Sequence, residues 1–139
     1  MATFPPAAFS FTKLVVDDLD AMVDYYCAVF GLHRGSRNTF EKGIAGEAID
    51  EIALVAAPGD AYGALSLLEF VNRPAAKHDE VILGFTTPDI AALLERVRSA
   101  GGSVLGPVEE MPDHGLRVAF VRDPEGHLCE VVELNAVQA

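Results

Sequence analysis

Basic residues are scarce in this sequence: 10 lysines and arginines stand against 21 aspartates and glutamates, a formal net charge of −11. A surface of that sign is repelled by phosphate backbones and anionic headgroups, so neither nucleic acid nor a membrane surface is an expected partner. Cysteine is scarce as well. Cys27 and Cys129 fall in a predicted helix and a predicted strand, where they read as small core residues and not as a disulfide framework. That usage fits a reducing, cytoplasmic setting. No apolar run approaches the ~18 residues that span a bilayer. The opening residues Met1-Ala2-Thr3-Phe4-Pro5-Pro6 have no basic region and are broken by prolines, unlike a secretory signal. Half of the 139 residues are apolar, which is one domain's worth of chain with enough hydrocarbon for a core.

The remaining pattern is periodic. Residues 9–16 alternate as a strand, with Phe9, Phe11, Lys13 and Val15 on one face. Asp17 or Asp18 is a good N-cap, Leu19, Met22, Val23, Tyr26, Val29 and Phe30 recur at helical spacing, and Gly31 is a natural stop. Residues 32–40 are compatible with a strand, Lys42-Gly43-Ile44-Ala45-Gly46 is loop-like, and residues 49–57 and 64–71 read as two more strands. The second half repeats the order. A strand over residues 81–86 is followed by Thr87-Pro88, a cap with proline at the first helical position. Ile90, Leu93, Leu94 and Val97 form an apolar stripe that Gly101-Gly102 closes, and strands over 104–109, 116–121 and 128–134 follow. Asp18 and Asp89 open the helices and Gly31 and Gly102 end them, each pair 71 residues apart.

This is a tandem repeat of a βαβββ unit. The expected fold is α+β: a single domain, residues 1–139, of two modules spanning about 8–72 and 80–135 and joined by residues 72–80. Each unit is a sheet with one helix behind it, so its other face must meet a sister sheet, a second chain or a ligand. Two such curved mixed sheets would place a ligand in a central cavity between them.

The last strand carries an anomaly. Asp123, Pro124 and Gly126 supply turn chemistry, and the strand after them sets Glu130 among Leu128, Val132 and Leu134 on one face. A carboxylate on an apolar face is costly unless something pairs with it.

The sequence resembles the vicinal oxygen chelate superfamily, which includes glyoxalase I, bleomycin resistance proteins, extradiol dioxygenases and methylmalonyl-CoA epimerase. The likeness is carried by Val16-Asp17-Asp18-Leu19-Asp20 with Tyr25-Tyr26 and Phe30-Gly31-Leu32, by Gly101-Gly102, and by the run from Arg117 to Gly126. It implies a glyoxalase-like fold and a homodimer, an arrangement that also buries an open sheet edge. In metal-dependent members of that superfamily, ligands come from the first and last strand of each half. Those places fall on Phe11 and Ile82, again 71 apart, and on Glu69 and Glu130. Phe and Ile cannot bind a cation, and two carboxylates alone make a poor transition-metal site. The expectation is no metal cofactor, with Glu69 and Glu130 as the ligands should a divalent ion (Zn, Ni or Fe) be bound. An iron-dependent ring-cleaving activity is disfavoured by the missing first-strand histidines.

The resemblance implies a small-molecule substrate and chemistry of lyase or isomerase type. Glu69 and Glu130 are the expected catalytic pair, one ionised to take a proton beside a carbonyl and the other protonated. The competing expectation pairs each with a cation such as Lys13 or Arg117. His114, in a turn over the cleft, is a further catalytic candidate, and Phe11, Lys13, Ile82 and Arg117 are the expected ligand-binding residues. Phe11 and Ile82, by making the space drier, also suit a metal-free protein that sequesters an apolar compound.

Overall fold

The computed structural model describes residues 11–60, 64–76 and 81–134. Phe9 and Ser10 of the expected first strand, and His78 of the expected linker, lie outside them.

The first module runs β1 (Thr12–Val15), α1 (Leu19–Phe30), β2 (His33–Ile44), β3 (Glu47–Val55) and β4 (Leu65–Phe70). The second runs β5 (Leu83–Thr87), α2 (Ile90–Ser99), β6 (Ser103–Met111), β7 (Leu116–Arg122) and β8 (Leu128–Leu134), with a 3-10 turn at Pro112–His114. Their four-stranded sheets have matching orders, β1-β4-β3-β2 and β5-β8-β7-β6. In each, the first strand lies parallel to the last, and the remaining pairs are antiparallel.

The local chemistry explains the boundaries. Asp18 and Asp89 accept hydrogen bonds from Ala21 N and Ala92 N, each bonding the backbone three residues on as an N-cap does. The second cap is therefore Asp89, not Thr87, whose hydroxyl instead accepts from Asp89 N. Gly31 ends α1 in the left-handed conformation, at φ 70°. After α2 that conformation belongs to Gly101, while Gly102 is needed for space: a Cβ there would lie 2.7 Å from both Arg122 O and Tyr25 Oη. The segment expected as a loop at 42–46 is mostly strand. β2 continues to Ile44, and Ala45 and Gly46, both at positive φ, form a tight hairpin turn into β3.

One core serves both modules. Leu19, Tyr26 and Val29 of α1 and Ile90, Leu93 and Val97 of α2 pack with Leu14, Ile52 and Leu67 of one sheet and Val121, Cys129 and Val131 of the other. Phe30 and Phe85 stack across the junction, with ring centroids 3.7 Å apart. The helices thus form a layer between the modules. On the opposite, inner face the first sheet carries a small second cluster, buried Ile49, Leu68 and Phe70 with Val15 packed against them, and exposes Phe40. The inner face of the second sheet exposes Leu105, Phe120 and Leu134.

Candidate functional site

Strand register decides which glutamates face which way. On β4, Leu65 and Leu67 pack under α1, so Glu69 points to the same helix side; its Oε2 accepts from Leu19 N at 3.2 Å. On β8, Cys129 and Val131 pack under α2, and Glu133 accepts from Ile90 N at 2.6 Å. The counterpart of Glu69 is therefore Glu133. Lys13 is registered with Ser66 and Gly84 with Glu130, so the counterpart of Glu130 is Ser66. The first strands and helices repeat at 71 residues but the last strands repeat at 64, because the connections between them differ in length. The expected catalytic pair is corrected accordingly: Glu69 braces a helix N-terminus, and Glu130 alone stands on an inner face.

Glu130 sits half-buried between Leu128 and Val132 along its strand and between Gly84 and Phe120 across it. Among the described residues its carboxylate has no hydrogen-bond or ion-pair partner. Beside it a Cβ on Gly84 would meet nothing within 4 Å, so open space (the Gly84 notch) adjoins the carboxylate. Neither Lys13 nor Arg117 neutralises it.

On the inner face of the first sheet Lys13 reaches across β4 to Glu51, Nζ to Oε2 2.6 Å. Ser66 and Leu68 lie between them in register. Glu51 is a site residue that sequence pattern alone did not place, since its face depends on the β3–β4 pairing. Phe11 is exposed just before β1, with Lys13 Nζ 5.9 Å from its ring centroid. Ile82, exposed before β5, shares by alternation the face of Gly84. Arg117 lies on the helix side, donating to Glu110 at 2.9 Å and to Glu133 at 3.3 Å. His114 is exposed at the Leu134 end of the sheet, four residues or ~13 Å along β8 from Glu130.

The donor chemistry at the four places where the resemblance puts metal ligands does not suit a divalent ion. Phe11 and Ile82 offer hydrocarbon, the structural match to Glu130 is Ser66, and Glu130 supplies one carboxylate where three or four N, O or S donors are wanted. Among the described residues no group of three or more His, Cys, Asp or Glu side chains could hold a metal ion.

A second polar constellation clasps the modules together. Buried Asp123 accepts from Tyr26 Oη at 3.0 Å, from the backbone N–H groups of Glu125 and His127, and lies 2.8 Å from His127 Nδ1. His127 Nε2 is 3.1 Å from Val15 O. Both ring nitrogens thus face acceptors, an environment made for the imidazolium. The hydrogen bond to Asp123 raises the His127 pKa above its ordinary value, outweighing burial. Burial works to raise the Asp123 pKa, but the hydrogen bonds from His127 and Tyr26 overcome it and hold the carboxyl below its usual range. Burial pushes the nearby Cys129 thiol up to about 11. The sequence signal for this cluster was the spacing in Asp123-Pro124-Glu125-Gly126-His127, where a turn aspartate bonds its own backbone and meets a side chain four residues on.

Comparison with known proteins bears on what these faces do. The profile of the Glyoxalase/Bleomycin resistance protein/Dioxygenase superfamily matches residues 8–131. A lactoylglutathione lyase of Pseudomonas aeruginosa is 26% identical, over 91% of this chain and 82% of its own. A probable lactoylglutathione lyase of Vibrio cholerae is 29% identical, over 92% and 91%. Among solved structures, a glyoxalase family protein from Bacillus cereus superposes with a TM-score of 0.79 at 19% identity, covering 98% of this chain and 99% of that one. TioX from a Micromonospora species superposes with a TM-score of 0.63 at 25% identity, covering 91% and 98%.

Proposed function

This chain belongs to the glyoxalase/bleomycin resistance protein/dioxygenase superfamily, and on that premise we propose that it is a cytoplasmic protein acting on a small carbonyl compound. The chemistry is of lyase or isomerase type, with Glu130 as the base. The observation that carries this reading is the position of Glu130: a half-buried carboxylate with no partner among the described residues, facing a notch at Gly84 and walled by Phe120, Leu128 and Val132. Such a group keeps both oxygens available to accept a proton from carbon beside a carbonyl. Glu69 and Arg117 act as supports, fixing helix ends behind the sheets and touching no reacting atom. His114 contacts only a ligand long enough to reach the Leu134 end of the sheet.

The working unit in this reading is a homodimer. The inner faces expose large apolar side chains, and the outer edges of β1 and β5 are unpaired within their sheets. A second copy would cover both and close the site against water.

The names of the relatives suggest the assay: methylglyoxal with glutathione, followed by thioester formation. Glu130→Gln should lower turnover by about 10²–10⁴, the usual contribution of a general base. Glu69→Gln should leave it near wild type. Equal turnover for wild type and Glu130→Gln would overturn the assignment.

A second reading, metal-free sequestration of an apolar compound, is favoured by hydrocarbon at Phe11 and Ile82. It predicts stoichiometric binding with no product formed. Metal analysis of protein purified without a tag or added metal tests the donor chemistry for both readings; stoichiometric Zn, Ni or Fe would contradict it.

A further inference from the structure

We infer that the junction of the two modules holds a binding groove for a small organic carboxylate, separate from the Glu130 notch. The groove encloses about 230 Å³. This lies below the ~300–1,000 Å³ of sites for drug-sized ligands, and so limits the occupant to a compact molecule. Val15, Phe70 and Val81 supply apolar walls, while Lys13, Arg73 and His127 supply basic groups. No acidic side chain lines it among the described residues. In a chain whose acids outnumber its bases by two to one, a lining whose charged side chains are all basic, their paired acids lying behind them, favours an anion over a cation.

The acids that hold Lys13 and Arg73 leave donors to spare. Lys13 uses one of its three N–H bonds on Glu51 at 2.6 Å. Arg73 gives Nε and Nη2 to Glu47, at 2.8 and 3.1 Å, and its guanidinium lies 3.6 Å from the centroid of the Phe70 ring. That stacking fixes the plane of the guanidinium and leaves Nη1 without a protein partner among the described residues. His127, both of whose ring nitrogens are engaged by Asp123 and Val15 O, lines the groove with its ring and offers charge but no free N–H. The basic groups are therefore oriented before any ligand arrives, which lowers the ordering cost of binding. Charged N–H donors beside hydrocarbon fit a carboxylate on a short aromatic or branched body. The inference extends the small-molecule reading above without depending on Glu130.

Phenylacetate and its neutral isostere phenylacetamide are the probes, titrated into ¹⁵N-labelled full-length protein. Phenylacetate should bind saturably and shift the amides of residues 13–15, Phe70, Val81 and His127. Phenylacetamide should bind about tenfold more weakly, the worth of one charge-assisted hydrogen bond. Lys13→Gln and Arg73→Gln should each weaken phenylacetate by a similar factor, and Glu130→Gln should leave its affinity unchanged. Equal affinity for acid and amide, shifts centred on Glu130 and Phe120, or no saturable binding of phenylacetate would each overturn the groove. Loss of turnover in Glu130→Gln with phenylacetate binding intact would uphold both assignments. Intact turnover in Glu130→Gln with phenylacetate binding intact would sink the base and keep the groove.

Discussion

Glu69 and Glu133 hold the same post in the two halves of the chain: each reaches from the last strand of its sheet to accept the first helical N–H, Leu19 N at 3.2 Å and Ile90 N at 2.6 Å. A carboxylate there meets the positive end of the helix dipole and satisfies an N–H that the helix cannot. Each truncation, Glu69→Ala and Glu133→Ala, should cost about 1 kcal/mol in urea unfolding. Because the two sites sit in different modules and share no partner, the double variant should lose the sum.

His127 and Asp123 give stability a pH dependence of stated sign. A histidine whose pKa is raised by folding contributes fully below its unfolded value, and the contribution fades as pH rises through the folded one. An aspartate whose pKa is lowered contributes above its unfolded value and fails as pH falls through the folded one. The melting temperature should therefore be highest at mildly acidic pH and fall on both sides. His127→Gln should flatten the alkaline fall specifically, which thermal melts across a pH series would read.

Tyr26→Phe removes the hydroxyl that donates to buried Asp123 at 3.0 Å. The loss should be about 1.5–3 kcal/mol, as for hydrogen bonds to charged groups. A chemical denaturation curve with unchanged slope and a shifted midpoint would confirm it.

Gly102→Ala and Gly84→Ala should behave oppositely. At Gly102 the new methyl meets Arg122 O and Tyr25 Oη at 2.7 Å and should destabilise by about 1–3 kcal/mol. At Gly84 it meets nothing within 4 Å, so stability should hold while the notch beside Glu130 narrows. A Gly84→Ala protein with normal melting and weakened turnover or ligand affinity is the expected result.

How much of this was legible before the structure depends on the kind of signal. The repeat, the helices and the Asp18 cap follow from periodicity and cap chemistry, which act over a few residues, whereas the second cap falls on Asp89 and not on Thr87. The partnership of Glu69 with Glu130, 61 residues apart, fails because the resemblance places a carboxylate on the last strand of each half without fixing its register, and those strands repeat at 64, which pairs Glu69 with Glu133. A shift of three residues in a strand moves a side chain to the opposite face. Lys13–Glu51 and His127–Val15 join positions 38 and 112 residues apart, and no local pattern encodes such pairs. The left-handed residue after α2 was misplaced by one, since two adjacent glycines satisfy the same stop signal.

The Phe30–Phe85 stack, and the hydrogen bond from Arg96 Nε to Val29 O at 2.9 Å, tie the helix of each half to the other half's elements. A duplicated unit ordinarily retains the option of standing alone, as beads on a string do. Here that independence has been surrendered: severing the chain between residues 72 and 80 would bare the hydrocarbon of both helices at once. The protein should accordingly melt in a single step, and neither fragment should hold its shape without the other.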